Sequence, residues 1–269
     1  MGLARSPMTA VFAVIPSRFQ STRFPGKPLA DISGKPMIRR VYERALAVEG
    51  LEGVWVATDC PEIYRLVLDF GGKAVMTKRD HPSGTDRIAE AARTLGVTDR
   101  DIVLNIQGDQ PVLNPAHPRL LYRALLKDED CVASTLAIPS DDPESAANPN
   151  HVKVVFGLGR RAVYFSRSVI PFPRQGPLSW YRHIGIYAYR AWFLYLFPAL
   201  PRLPLEEAES LEQLRILENG YRMKVVLAEG LSPEVDVPED IALAEQALAE
   251  ESLAGKAARK GGPDDTDPG

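Results

Sequence analysis

The chain has 269 residues, of which 45% are hydrophobic and 25% are charged, which is typical of a globular protein and long enough for one large domain. Acidic and basic residues are mixed along the chain, with a formal net charge of -3, so the sequence lacks the clustered basic face of nucleic-acid-binding proteins. Its two cysteines, Cys60 and Cys131, lie far apart without C-x-x-C spacing, which argues against a disulfide framework and a structural zinc site. We therefore expect a cytoplasmic protein with small-molecule partners.

The first half of the chain alternates short β-branched apolar runs with segments of helical periodicity, which is the pattern of βαβ units around a mostly parallel sheet. Its first apolar run ends at Pro16 and is too short to span a membrane, so we interpret it as a buried strand. The predicted strands cover residues 9–16, 54–58, 74–76 and 102–106, and the predicted helices cover residues 36–48, 62–70, 85–95 and 117–126. The sequence thus predicts an α/β fold.

From Cys131 onward the rhythm changes to strand-like segments separated by turn residues, namely VASTLAI, HVKVVF, AVYFS and RHIGIYAY. We predict a β-rich subdomain over residues 131–190, within a single domain of residues 1–253. A helix is predicted over residues 206–219, a strand over 223–228 and a last helix over 238–253. Residues 254–269 are small, charged and rich in Pro and Gly, which predicts a disordered tail.

One segment imitates a dinucleotide-binding motif. Residues 157–162 fit G-x-G-x-x-A after a predicted strand, but Pro171 and Pro173 interrupt the β-branched and aromatic residues that follow, so no helix is expected to begin there. We predict a hairpin turn instead. The sequence also has no Walker A, H-E-x-x-H or G-x-S-x-G motif, which excludes the simplest P-loop, zincin and serine-hydrolase interpretations.

The loop after the first predicted strand is dense in hydroxyls and fixed cations. Arg18, Arg23 and Lys27 lie in this loop, at the carboxyl end of a strand, which is where α/β sheets bind ligands. With backbone N–H groups they can surround a triphosphate through charge-assisted hydrogen bonds. The alternative is a solvated surface loop in which the Pro25-Gly26 pair makes a turn. Position and cation density favour the phosphate-binding interpretation.

Two aspartates are candidates for holding a magnesium ion, which proteins bind through one or two carboxylates together with substrate phosphates. Asp109 lies in a Gly-containing polar turn after the strand predicted over residues 102–106, and Asp236 lies between the last predicted strand and the last predicted helix. For Asp236 the competing interpretation is an N-cap, because Asp shortly before Pro-Glu is a common helix start. Asp240 is interpreted as a first-turn residue favoured by the helix dipole.

Together these segments resemble one family, the 3-deoxy-manno-octulosonate cytidylyltransferases, over residues 11–248. The resemblance rests on motifs that occur in the family's order and approximate spacing: IPSRFQSTRFPGKPL, ATD, SGTDR, QGDQP, HVKVVF, YFSR, RHIGIYAY, LEQLR and EVDVPED. Each motif alone is weak, whereas the series is specific.

The resemblance implies a nucleotide-diphosphosugar-transferase fold, with a Rossmann-like, mostly parallel sheet and a smaller β-rich dimerisation subdomain. It also implies a homodimer and a Mg²⁺-dependent reaction, in which the 2-hydroxyl of 3-deoxy-manno-octulosonate (Kdo) attacks the α-phosphorus of CTP. The expected products are pyrophosphate and the CMP-sugar used in lipopolysaccharide synthesis. No membrane or nucleic-acid partner is expected.

Residue roles follow from the matching motifs. The resemblance implies that Lys27, Asp109 and Asp236 are catalytic, with the two aspartates as magnesium ligands. The implied nucleotide-binding residues are Arg18, Ser21, Lys27, Ser83, Asp86 and Arg87. The implied sugar-binding residues are Gln107, Arg167, His183, Tyr187, Glu212 and Gln213, with Arg167 or His183 as partners of the sugar carboxylate.

Several of these residues have a purely structural alternative. His183 and Tyr187 are an even number of residues apart on one predicted strand, so they can be core-facing neighbours with satisfied hydrogen bonds. Glu212 and Gln213 can form the solvated side of an amphipathic helix. The residues alone favour these alternatives, and the family resemblance favours ligand contact.

Two positions depart from the common family pattern. Gln110 stands where the commoner motif has Glu, and Val237 stands where Thr is usual. The Gln-Gly-Asp-Gln-Pro form resembles a branch that acts on 8-amino-3,8-dideoxy-manno-octulosonate, so both sugars are candidate acceptors. Sialic-acid cytidylyltransferases are less similar, because their first loop typically reads Gly-Ser-Lys-Gly.

Two other functions compete. One is a nucleotide-binding module that kept the fold and lost catalysis, since a fold alone does not guarantee activity. Intact Lys27, Asp109 and Asp236 count against it. The other is a nucleotidyltransferase that uses UTP, GTP or a phosphorylated sugar, but those enzymes usually carry a Gly-Gly-x-Gly-type first loop, which this sequence lacks.

Overall fold

The computed structural model describes residues 9–19, 24–230 and 232–260. Its strands are β1 (Val11–Ser17), β2 (Asp31–Ile32), β3 (Lys35–Pro36), β4 (Gly53–Thr58), β5 (Ala74–Met76), β6 (Ile102–Asn105), β7 (Cys131–Ser140), β8 (Lys153–Phe156), β9 (Ala162–Ser166), β10 (Trp180–Arg190) and β11 (Arg222–Leu227). Its helices are α1 (Met37–Leu46), α2 (Pro61–Asp69), α3 (Gly84–Thr94), α4 (Ala116–Lys127), α5 (Pro143–Ala147), α6 (Ala191–Leu196), α7 (Pro204–Glu209), α8 (Leu214–Glu218) and α9 (Ile241–Lys260).

A nine-stranded sheet forms the centre of the fold, with its main path in the order β11-β7-β10-β6-β1-β4-β5. Strands β6, β1, β4 and β5 pair in parallel, and β11 pairs in parallel with β7. Strand β10 lies between β6 and β7 and is antiparallel to both. The predicted α/β class with a mostly parallel sheet is confirmed.

The sheet is covered on both faces, which explains why β1 is a continuous apolar run rather than an alternating one. Its odd-numbered residues Val11, Ala13 and Ile15 pack into a core shared with α1, α2 and α4. Its even-numbered residues Phe12 and Val14 pack into a second core shared with α3, α6 and α8. Within the described residues, no helix has the length and apolar character needed to cross a membrane.

The helix predicted over residues 206–219 is broken in the structure. Helix α7 ends at Glu209, Ser210 adopts a left-handed conformation with φ 51°, and α8 begins at Leu214. The Glu209 carboxylate accepts hydrogen bonds from Ser166 Oγ at 2.6 Å and from Arg167 N at 2.8 Å, which holds the end of α7 against β9. Tertiary contacts therefore override the local helical signal at this point.

One further boundary differs from the prediction. Helix α9 continues to Lys260, so the predicted tail does not begin at residue 254, and residues 261–269 lie outside the described residues. Residues 131–190 are rich in strands, of which β7 and β10 belong to the main sheet, and the subdomain over this stretch stays a prediction. Among the described strands of this sheet, β8 and β9 lie off the main path, and the turn at Leu158–Arg160 joins them as the predicted hairpin.

Candidate active site

The carboxyl ends of the parallel strands open into a cleft, and the strand order decides which side chains meet there. Asp109 follows β6, Arg18 follows β1, and Asp59 follows β4. The cleft has a volume of about 270 Å³. Its lining residues come from these strand ends, from the start of α3 and from the segment before α9: Pro16, Ser17, Arg18, Lys27, Pro28, His81, Pro82, Ser83, Gly84, Arg87, Gln107, Gly108, Asp109 and Asp236.

Lys27 and the two predicted carboxylates form the centre of this cleft. Lys27 Nζ lies 2.9 Å from Asp109 Oδ2 and 3.6 Å from Asp236 Oδ1, and it donates to the Val235 carbonyl at 2.8 Å. Val235 N also donates to the Asp109 carbonyl at 2.9 Å, which ties the two carboxylate-bearing segments together. The three residues predicted as catalytic are therefore brought together from sequence positions far apart.

Gly108 is needed for the close approach of the Asp109 loop to β1. A Cβ atom added at Gly108 would lie 3.1 Å from the Pro16 carbonyl oxygen, which is tighter than ordinary packing. A larger residue here would push the Asp109 loop away from the end of β1. This close approach explains why the predicted polar turn has glycine at position 108.

The capping alternative for Asp236 is not what the backbone shows. Val237 occupies the N-cap position of the 3₁₀ turn Pro238–Asp240 that leads into α9. The Asp240 carboxylate accepts from Asp236 N at 2.7 Å and from Val237 N at 2.9 Å. Asp240 therefore satisfies the backbone at this helix start and orients the segment that carries Asp236, whose side chain is 45% exposed in the cleft.

The predicted nucleotide-binding residues lie on the other side of Lys27, toward β4 and β5. Ser83 is the N-cap of α3, where its Oγ accepts from Asp86 N and donates to Asp86 Oδ2 at 2.6 Å. The buried Arg87 guanidinium donates to Thr77 Oγ1 and the Lys78 carbonyl and pairs with Asp59 at 3.3 Å. Arg18 lines the cleft, and Ser21 lies outside the described residues.

Four of the predicted sugar-binding residues lie on the β10 side of the cleft. Tyr187 is the register partner of Asn105 at the end of β6. Gln107 Nε2 donates to Asn105 Oδ1 at 3.2 Å, so Asn105 and Gln107 connect Tyr187 to the cleft. Tyr187 OH approaches Gln213 Oε1 at 3.5 Å. Glu212 accepts a short hydrogen bond from Thr85 at the start of α3.

Tyr187, Glu212 and Gln213 are not among the residues that line the cleft, and Gln107 connects them to it. Burial raises the pKa of Glu212 above its ordinary value, although hydrogen bonds from Ser83 and Thr85 oppose the shift, and burial also raises the pKa of Tyr187. Both side chains nevertheless keep part of their surface open to solvent. Gln213 Nε2 is buried and has no hydrogen-bond partner among the described residues. An unpaired buried donor beside two partly open polar groups is suited to receive a polyhydroxylated ligand.

His183, implied as a partner of the sugar carboxylate, is not a cation in this structure. Burial lowers its pKa to about 3, so the imidazole is neutral near pH 7. Its Nε2 lies 2.9 Å from Thr135 Oγ1, and its ring packs edge-on against Phe165 and 5.7 Å from Tyr187. These contacts match the structural alternative, in which His183 is a core-facing neighbour of Tyr187 with a satisfied hydrogen bond. A neutral imidazole supplies no charge to a sugar carboxylate.

Arg167 is engaged by the backbone rather than presented to the cleft. Its guanidinium donates to the carbonyls of Glu209 at 2.7 Å, Pro149 at 3.0 Å and Ser210 at 3.4 Å. It is not among the residues that line the cleft. The structure therefore shows Arg167 holding the break between α7 and α8, next to Glu212 and Gln213.

Sequence reasoning missed three residues of this region. Ser17 lines the cleft, and its buried Oγ has no hydrogen-bond partner within the described part of the chain. His81 also lines the cleft. Glu234 accepts from Gln110 Nε2 at 2.9 Å, and its pKa is raised by burial and then by Asp109. Gln110, the departure from the common motif, is thus paired with a carboxylate, where a glutamate would be repelled.

The known proteins to which this chain is similar are cytidylyltransferases. A family model described as cytidylyltransferase matches residues 12–226. A 3-deoxy-manno-octulosonate cytidylyltransferase of Syntrophobacter fumaroxidans is 49% identical over 246 residues, covering 90% of this chain and 98% of that protein. An 8-amino-3,8-dideoxy-manno-octulosonate cytidylyltransferase of Shewanella halifaxensis is 48% identical over 241 residues, covering 89% of this chain and 98% of that protein.

A solved structure shows the same similarity at the level of the fold. The structure of CMP:2-keto-3-deoxy-manno-octonic acid synthetase complexed with CTP superposes with a TM-score of 0.86 at 43% sequence identity, covering 90% of this chain and 100% of that one. The family resemblance predicted from the sequence motifs is confirmed. The chain belongs to the cytidylyltransferase family, alongside the 3-deoxy-manno-octulosonate cytidylyltransferases and their 8-amino relatives.

Proposed function

We propose that this chain transfers CMP from CTP to the 2-hydroxyl of Kdo, releasing pyrophosphate and forming CMP-Kdo for lipopolysaccharide synthesis. The observation that carries the proposal is the position of Lys27, whose ammonium contacts both Asp109 and Asp236 at the carboxyl edge of the sheet. The predicted nucleotide residues lie toward β4 and β5, and Tyr187 lies across β6 on the other side. This arrangement would place the α-phosphorus of CTP near Lys27, with the nucleoside on the β4–β5 side and the sugar on the β10 side.

The two carboxylates fit a magnesium ion by their chemistry. Asp109 and Asp236 converge on the Lys27 ammonium, so this point of the cleft already accommodates a positive charge. No group of three or more potential ligand side chains exists among the described residues, and magnesium does not need one, because substrate phosphates and water complete its coordination. When bound, magnesium would supply positive charge for the attacking and leaving oxygens.

Binding and orientation of the two substrates would depend on Lys27, Arg18 and the residues predicted to bind the sugar. Attack on the α-phosphorus depends on positioning and charge neutralisation more than on a strong base. Lys27 and Arg18 would bind the triphosphate by charge-assisted hydrogen bonds. Tyr187, Glu212 and the unpaired Gln213 Nε2 would orient the sugar so that its 2-hydroxyl faces the phosphorus.

The acceptor has two candidates. Kdo is the first, and its 8-amino analogue is the second, because the Gln-Gly-Asp-Gln-Pro motif resembles that branch and relatives with both names are similar to this chain. A catalytically lapsed module is disfavoured by the intact contacts of Lys27 with both aspartates.

The substrates are tested by pyrophosphate release from each nucleoside triphosphate, with Kdo and the 8-amino sugar offered in turn. We expect release with CTP at far higher kcat/KM than with ATP or GTP, and only when one of the two acidic sugars is present. Comparable turnover with a purine triphosphate would remove the cytidylyltransferase reaction. A preference between the sugars selects the acceptor.

We also propose that the chain forms a homodimer through the strand-rich stretch around β8 and β9. Leu158 is 99% exposed, Phe172 is 84% exposed and Val163 is 64% exposed, and a neighbouring subunit would remove these side chains from water. We expect a dimer by light scattering at micromolar concentration, and dissociation to monomer for the Leu158→Asp, Phe172→Asp double variant. The control Leu243→Asp changes an exposed leucine on α9 and should leave the dimer intact. A wild-type protein that is strictly monomeric would contradict the proposal.

The proposed location is the cytoplasm. Both cysteines are free and buried, Cys60 within reach of Glu62 and Cys131 with a pKa raised to about 11 mainly by burial, so neither has the character of a reactive or disulfide-forming thiol.

A further inference from the structure

His81 lies on the β5 side of the cleft and has no part in the contacts proposed above for catalysis or for the sugar. Its Nε2 makes a short hydrogen bond with Glu90 on α3, and its side chain is 15% exposed. Glu90 also accepts from Lys78 N at 3.0 Å, and this hydrogen bond ties its carboxylate on α3 to the segment that follows β5. The imidazole is therefore held rigidly while it faces the cleft.

Glu90 decides which ring nitrogen of His81 carries a proton. Burial acts to raise the pKa of Glu90, but the hydrogen bonds from His81 and Lys78 outweigh it, and the pKa lies below its ordinary value. An ionised carboxylate only accepts, so Nε2 of His81 must donate. In the neutral ring, Nδ1 then carries a lone pair, and it has no partner among the described residues.

Two other polar side chains on this side of the cleft are already engaged. Arg87 is bound to Thr77, Lys78 and Asp59, and Ser83 is bound to Asp86. Nδ1 of His81 is therefore an acceptor that remains available to a ligand here. The neighbouring Pro82 also lines the cleft and offers an apolar surface against which a flat ring can pack.

The position of His81 indicates which part of the nucleotide it meets. Lys78 follows Thr77, whose N–H donates to the Thr58 carbonyl at the end of β4, so His81 belongs to the β4–β5 side. Asp109 follows β6, with β1 between β6 and β4, and neighbouring strands are roughly 4.8 Å apart. Ser83 and Arg87, which the family resemblance implies in nucleotide binding, line the cleft on the same side as His81, so we place the nucleoside of a ligand whose α-phosphate lies at Lys27 toward His81.

We propose that His81, oriented by Glu90, accepts a hydrogen bond from the 4-amino group of cytosine and so selects CTP over UTP. This inference rests on the proposed use of CTP. Uracil carries a carbonyl oxygen where cytosine carries that amino group, so UTP would bring an acceptor against an acceptor. Leaving such a pair unsatisfied in a recessed site weakens binding by about 10- to 100-fold.

The test measures binding of CTP and of UTP by calorimetry, without sugar, at pH 8, and kcat/KM for both nucleotides with sugar. His81→Phe keeps a flat ring and removes the acceptor. We expect the CTP-to-UTP ratio to fall about 10- to 100-fold, through weaker CTP binding, with kcat at saturating CTP changed little. The control His151→Phe makes the same exchange at a residue that contacts Ser145, and it should leave the ratio unchanged.

Glu90→Gln provides a second variant that retains His81 and the fold. The glutamine amide can donate to Nε2 and move the ring proton to Nδ1, so we expect a partial fall in the same ratio. Equal losses for CTP and UTP, or an unchanged ratio in both variants, would overturn the assignment of His81. A wild-type protein that binds neither nucleotide would remove the proposed function itself, and that result is distinguishable because it appears before any variant is made.

Discussion

Replacing Asp236 by asparagine is expected to lower kcat by about 10²–10³-fold, because one negative oxygen that would hold magnesium against the α-phosphate is lost. The ion pair of Asp236 with Lys27 is long, at 3.6 Å, and the Asp236 side chain is 45% exposed, so the expected cost in stability is below about 1 kcal/mol. We therefore expect Tm to change by less than about 4 °C. Steady-state turnover at several magnesium concentrations and a thermal melt measure both quantities.

Two further variants separate the metal-binding role from a general effect of the substitution. Asp109→Asn should behave like Asp236→Asn, since both carboxylates face Lys27. Asp130→Asn is the matched control: Asp130 is an exposed partner of Arg161 and Arg222, and it precedes β7 rather than following a strand of the cleft. Near-normal activity of Asp236→Asn at limiting magnesium would mean that the two-carboxylate mechanism is wrong.

Replacing Lys27 by methionine is expected to reduce kcat/KM for CTP by about 10²–10³-fold, because the variant loses the cation that would bind the triphosphate. The same change leaves Asp109 facing Asp236 without the intervening ammonium and leaves the Val235 carbonyl without its donor. Lys27→Arg keeps the charge but not the compact geometry, and it should recover only part of the loss.

The control for Lys27 is Lys35→Met, which removes a lysine whose ammonium pairs with Glu43 outside the cleft. We expect this variant to keep wild-type kcat/KM, because a surface ion pair contributes about 0–1 kcal/mol to stability and nothing to the cleft. Circular dichroism of both variants shows whether the fold is retained. A folded Lys27→Met protein with kcat/KM within a few fold of wild type would exclude Lys27 from catalysis.

The fold was predictable where one strand or helix carries its own signal. Strand β1 is a continuous apolar run because both of its faces are buried, and the alternation of such runs with amphipathic segments specifies a mostly parallel sheet. The break at Ser210 was not predictable, because it depends on Ser166 and Arg167, which bind Glu209 from a distant part of the chain. Serine in a left-handed conformation gives no local signal comparable to glycine.

The residues of the candidate site also divide into those that carry a local sequence signal and those that only the fold brings together. Lys27, Asp109 and Asp236 were predictable because each lies in a polar loop next to a strand end or a helix start, and the strand order then brings them together. His81 was missed because its partner Glu90 lies on α3, and only the fold places the two side chains in contact. The contact of His183 with the sugar carboxylate stays a prediction, and the neutral state of its ring was not predictable because a sequence does not show how deeply β10 is buried.

The most direct test of the central claim is the product of the reaction itself. Phosphorus NMR of the wild-type protein with CTP, magnesium and Kdo or its 8-amino analogue should show a CMP-sugar phosphodiester and pyrophosphate appearing in equal amounts. Neither product should appear at a comparable rate with Asp236→Asn. Release of inorganic phosphate and CDP, or consumption of CTP without a new phosphodiester, would contradict the account.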